Sequence, residues 1–134
     1  MEIINWRQAQ ILAFCCDAED KSPLVSDRVV VANTGLKFDE VRIEMKALET
    51  DGFLQLDKEN TRSKVGAVYR VTAKGRGYNH LFKNELDKTH PQVKGSPFWK
   101  GLRVVYDEAK DVFSSALAKA AVEFAKSQGY VSNG

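Results

Sequence analysis

Residues 29–39 read Val29-Val30-Val31-Ala32-Asn33-Thr34-Gly35-Leu36-Lys37-Phe38-Asp39, and the reading of this stretch decides the fold. Taken alone, the three valines are β-branched and favour a strand. The residues after them favour a short helix instead. Gly35 supplies the left-handed conformation that ends a helix, and an amphipathic segment restarts almost at once. Phe38, Val41, Met45 and Leu48 recur at i, i+3, i+7 and i+10, one face of a helix over 36–51 that stops at Gly52. Ser26-Asp27 opens the shorter helix before it, so the pair forms two helices joined by a tight glycine turn.

Working outward, Asn5 with Gln8 three residues later is a capping box. Ile11, Phe14, Cys15 and Ala18 then give helical periodicity over 5–18. Residues 17–23 are a polar break. After Gly52, two β-like runs at 53–56 and 67–71 flank a polar loop at 57–66, which is a hairpin with a long basic tip. Thr72 offers an N-cap to a helix with Tyr78, Leu81, Phe82 and Leu86 as its apolar positions. His90-Pro91-Gln92-Val93-Lys94-Gly95 is a breaker segment. Ser96-Pro97, an N-cap with proline at the first helical position, predicts one last helix over 97–128, stopped by Gly129 and on the order of 45 Å long. The chain divides into a domain at 1–88 and a linker with a C-terminal helix at 89–134.

The 134 residues suffice for one domain with its own core, and 43% hydrophobic with 28% charged residues excludes disorder throughout. No run approaches the ~18 apolar residues of a membrane span, and no secretory signal is recognisable at Met1. Cys15 and Cys16 are neighbours, a spacing that seldom bridges, so a reduced, cytoplasmic chain is expected. Net charge is only +2, but it is unevenly spread. Residues 1–57 hold 6 Lys/Arg against 11 Asp/Glu, residues 58–103 hold 11 against 3, and residues 104–134 hold 3 against 4. A basic middle between acidic flanks is either a polyanion-facing patch or a solvated lysine-rich surface.

The order of elements resembles the winged helix-turn-helix superfamily. The residues that carry the likeness are Val30-Val31-Ala32-Asn33-Thr34-Gly35-Leu36, then Val41 six residues after the turn glycine, then Ala47-Leu48-Glu49-Thr50-Asp51-Gly52-Phe53-Leu54. The hairpin's exit, Val68-Tyr69-Arg70-Val71-Thr72-Ala73-Lys74-Gly75-Arg76, is similar to the wing ending of MarR- and PadR-type regulators. The resemblance spans about residues 5–88. It implies a mainly α fold with a small β-hairpin wing (α+β), a winged helix-turn-helix with a long C-terminal helix. It also implies a double-stranded DNA-binding transcriptional regulator that dimerises through terminal helices. A winged-helix protein-interaction module, an adaptor or inhibitor with a protein partner, is the alternative.

Helical geometry sorts the candidate contacts. With Phe38, Val41, Met45 and Leu48 inward, Asp39, Ile43, Lys46, Ala47 and Thr50 face outward, while Glu44 and Glu49 fall at the edges. Ile43 and Ala47 suit thymine methyls, and Lys46 or Thr50 suits a base edge or phosphate. Asn33, Thr34 and Lys37 at the turn suit backbone contacts. Arg42, Arg62, Lys64 and Arg70 complete the DNA-facing set, with Arg62 and Lys64 near the wing tip. Leu102, Ala109, Phe113, Ala116, Ala120 and Phe124 are the expected dimer contacts on the last helix, which can also, or instead, fold back on the first helix. Cys15, Cys16, His80 and His90 lack metal-ligand spacing, and no nucleophile motif is recognisable. Neither a cofactor, a metal nor an enzymatic reaction is expected. Trp6, Phe98, Trp99 and Tyr106 read as core rather than as an effector pocket.

Overall fold

The computed structural model describes residues 4–21, 24–62, 65–91 and 97–127. In chain order the elements are α1 (Trp6–Glu19), β1 (Val25–Ser26), α2 (Asp27–Thr34), α3 (Phe38–Thr50), β2 (Leu54–Leu56), β3 (Val68–Val71), α4 (Ala73–Thr89), α5 (Phe98–Glu108) and α6 (Lys110–Ser127). The chain is mostly helical with a small antiparallel sheet, an α+β architecture.

Local signals place most helix ends. Asn5 Oδ1 accepts from the Gln8 N–H at 2.8 Å and Gln8 Oε1 accepts from the Asn5 N–H at 3.2 Å, completing the capping box of α1. Ser26 Oγ caps α2 through the Val29 N–H. Gly35, at φ +74°, ends α2 with its N–H on the Val31 carbonyl. The next helix starts at Phe38, not at Leu36 as the periodicity suggests. Leu36 is buried in the turn and fills the core at that end, which leaves Phe38 40% exposed. The inward row of α3 is therefore Val41, Met45 and Leu48, all fully buried.

The sheet has the order β1-β3-β2. Leu54 pairs with Val71 and Leu56 with Tyr69, forming the expected hairpin. Val25 pairs with Tyr69 and Ser26 with Val68, adding an edge strand just past what the sequence presents as a polar break. Thr72 knots the elements together. Its hydroxyl donates to the Gly52 carbonyl at 2.6 Å and accepts from the Gly75 N–H at 3.0 Å, capping α4.

The C-terminal segment departs from expectation. The helix over 97–128 is two helices, broken at Ala109 where the backbone turns to φ −149°, ψ 63°. Pro97 sits in the cap position rather than the first turn, and Ser96 and Gly129 lie outside the described residues. The break has a tertiary cause. α5 packs on α1 through the Phe14–Trp99 and Trp6–Tyr106 ring pairs, each 5.0 Å between centroids. α6 packs on α4 through Phe82–Phe113 and Tyr78–Phe124. A straight helix would reach only one of these surfaces.

Leu102, Phe113, Ala116, Ala120 and Phe124 are consequently buried within the chain, and Ala109 is half-buried at the break. They stabilise this core instead of offering a seam to a partner.

Gly75 lets α4 approach the sheet, since a Cβ there would overlap the Phe53 carbonyl and crowd Val71. At Gly77 an added Cβ meets only Phe124 at ordinary contact distance, 3.5 Å. Gly75→Ala should destabilise by about 1–3 kcal/mol through overpacking. Gly77→Ala should be neutral or stabilising by up to ~1 kcal/mol, from helix propensity. Urea unfolding midpoints of the two variants check both signs.

Candidate nucleic-acid interface

The burial of Val41, Met45 and Leu48 fixes the rotation of α3, so Asp39, Ile43, Lys46 and Thr50 face solvent, with Glu44 and Glu49 half-buried at the edges. Ile43 is 67% exposed. An open groove of about 790 Å³ runs along this face. Asp39, Arg42, Ile43 and Lys46 form one wall, and Ala67 and Tyr69 of the hairpin's return form the other. Asp27, at the start of α2, closes one end.

Not every candidate is available for a ligand. The Asn33 amide donates to the Val29 carbonyl at 2.9 Å, and the Thr34 hydroxyl donates to the Val30 carbonyl at 2.7 Å, so both side chains fold back on α2. Lys37 is exposed at the start of α3. The Arg42 guanidinium lies 5.7 Å from the Phe38 ring centre. Lys46 Nζ donates to Glu49 Oε1 at 2.8 Å, and this bond holds the ammonium above its ordinary pKa. The Thr50 hydroxyl donates to the Lys46 carbonyl. Arg62 is exposed with Nη1 on the Thr61 carbonyl at 3.0 Å. Lys64 lies outside the described residues.

Arg70 is part of the hairpin's own scaffold. Its Nε donates to Asp57 Oδ2 at 3.0 Å, and Asp57 also accepts from the Asn60 side chain and backbone. Those hydrogen bonds, Asn60's foremost, hold the Asp57 carboxyl below its ordinary pKa.

The basic middle of the sequence is thus not one patch. Arg76 pairs with Glu19, the last residue of α1, and with Asp20 just beyond it, at 3.4 and 3.7 Å. Lys74 donates to the Asp51 carbonyl, and Lys83 lies over the Phe98 ring. Lys58 and Arg62 remain as exposed bases of the described hairpin loop.

Asp27 and Tyr69 join the site without a sequence signal of their own, because only the β1–β3 pairing brings α2 beside the hairpin. Asp27 is 5% exposed, and a side chain at Gly66 (φ +96°) would run into its carboxylate. Burial pushes the Tyr69 phenol up, and the Glu49 charge adds to this.

The aromatic set Trp6, Phe98, Trp99 and Tyr106 is packed in ring pairs with Phe14, Phe82 and Phe113. Among the described residues no cluster of three or more His, Cys, Asp or Glu could hold a metal ion. Cys15 and Cys16 are buried free thiols. Comparison with protein-family models, curated proteins and solved structures finds no match for the chain.

Burial raises both thiols, Cys15 far up and Cys16 from 9.0 to about 12. The unfolded chain therefore ionises them first as pH rises. Their contribution to stability is complete below about 9 and is lost towards about 12. Urea midpoints measured across this range should decline, and less steeply in Cys16→Ala. Iodoacetamide should label the native chain far more slowly than the unfolded one.

Proposed function

We propose that the chain is a winged helix-turn-helix protein of the MarR/PadR kind that binds double-stranded DNA as a transcriptional regulator. In this reading α3 enters the major groove and the hairpin loop lies on the adjacent backbone or minor groove. The observation that carries it is the groove itself, in which the exposed row of α3 and the return strand of a hairpin bearing Lys58 and Arg62 form facing walls. In such an arrangement the helix can read base edges while the loop's bases meet the phosphates. No reaction is assigned to the site.

The homodimer in this reading needs a surface other than the buried one. The face of α6 turned away from Phe113 offers Asp111, Ser115, Val122 and Lys126, all exposed, with Ala118 half-buried between them. Two such helices running antiparallel would set Asp111 opposite the partner's Lys126. Ala118 would lie nearest the axis, and Val122, 53% exposed, would pack beside it against the other helix. Val122→Glu should convert the sedimenting species from dimer to monomer, and a wild-type monomer at high concentration removes the dimer from the proposal.

The second reading, a protein-interaction module, draws on Phe38 and Ile43, two large apolar side chains exposed on one helix. Salt titration separates the two. Binding to random duplex DNA should weaken with salt, and Arg62→Ala should lower the log–log slope by about one. Arg76→Ala, whose guanidinium faces α1, should leave the slope unchanged. Absence of duplex binding at low salt favours the protein partner.

A further inference from the structure

We infer that Ile43 reads thymine 5-methyl groups, placing A·T pairs beneath the middle of α3. The inference rests on the proposal that α3 is the major-groove element, and adds what that element selects.

Ile43 lies opposite the inward row of Val41, Met45 and Leu48, at the centre of the outward stripe. At 67% it is the most exposed large aliphatic of the described chain. It also has apolar backing, because Met45, Ala67 and Tyr69 line the same groove. Its sequence neighbour Arg42 is a long cationic arm on the same wall, where Asp39 also lies and Lys46 is paired with Glu49. An exposed arginine suits a phosphate, whereas a branched aliphatic beside it makes no hydrogen bond to any base edge. In the major groove the thymine C5-methyl is the apolar group that an aliphatic side chain can cover. The duplex is the occupant that the proposed function sets for this groove, with Lys58 and Arg62 of the neighbouring hairpin loop as exposed bases for its phosphates.

The test requires no knowledge of a target sequence. Wild-type protein is titrated at low salt with an alternating dA-dT duplex and with the matching dA-dU duplex, which differs by the methyl groups alone. Covering one methyl corresponds to about a fourfold preference for the thymine duplex. Ile43→Ala, a change at an exposed position, should bind the two duplexes equally. Ile43→Val, which keeps a branched aliphatic, should retain part of the preference.

Wild-type binding that is equal for both duplexes overturns the methyl contact and leaves DNA binding standing. A preference that survives in Ile43→Ala also overturns it, since the methyl is then read elsewhere. Binding to neither duplex overturns the DNA reading and this inference together, and turns attention to a protein partner for the same groove.

Discussion

Burial of α1 around its whole circumference is the constraint on which the other elements depend. Residues 9–16 are buried without interruption, Gln10 included. A helix in that position needs partners on every side, and the chain supplies α2, α3, α4, α5 and the sheet. Each fully covered leucine, isoleucine or phenylalanine contributes about 1.5–3 kcal/mol, so this contact surface outweighs any single cap or ion pair. Its far end is tied down by Glu19. One carboxylate oxygen accepts from the Val71 N–H at 2.8 Å and the other faces Arg76 at 3.4 Å, joining α1 to β3 and α4.

This hub determines how the exposed site is presented. α3 turns Val41, Met45 and Leu48 into the core beside α1, three buried side chains that leave the helix one rotation about its axis. Ile43 and Lys46 must then point away from the core. The hairpin is oriented by the opposite route. Thr72 fastens the end of β3 to the turn after α3, and Lys74 reaches the Asp51 carbonyl at 2.6 Å. Both walls of the groove are therefore anchored to one junction at residues 51–53 and 72–75. Their spacing is a property of the core, not of loop conformation.

How much the sequence discloses depends on the range of the interactions involved. Asn5 with Gln8, Ser26, Gly35 and Thr72 act within three or four residues, and each marks a helix end that the structure contains. The outward stripe of α3 is equally legible, because periodicity alone separates Ile43 from Met45. The break at Ala109 has no proline or glycine to announce it. It arises because α5 packs on α1 and α6 on α4, and so does the burial of Leu102, Phe113 and Phe124, residues for which the sequence leaves a partner and the chain's own core both open. β1 is two residues long, too short for a pattern, and forms because β3 has a vacant edge beside it. The fate of the bases is hidden for the same reason: Arg76 meets Glu19 only after α4 has docked on α1.

Charge disposition, more than charge total, shapes the proposed interface. The fold directs Arg70, Lys74, Arg76 and Lys83 to partners within the chain and pairs Lys46 with Glu49, which leaves Arg42 on the groove, Lys37 at the start of α3, and Lys58 and Arg62 on the described loop. Counterion release scales with the number of phosphates neutralised, so one such unit gains only modest electrostatic affinity for a duplex. Acid on the same face, Asp39, reduces it further. On the proposed reading, side chains that fit the groove and two copies on one duplex would have to contribute more than nonspecific attraction. The apolar centre of α3 and the exposed face of α6 thereby become the two surfaces on which selective binding would depend.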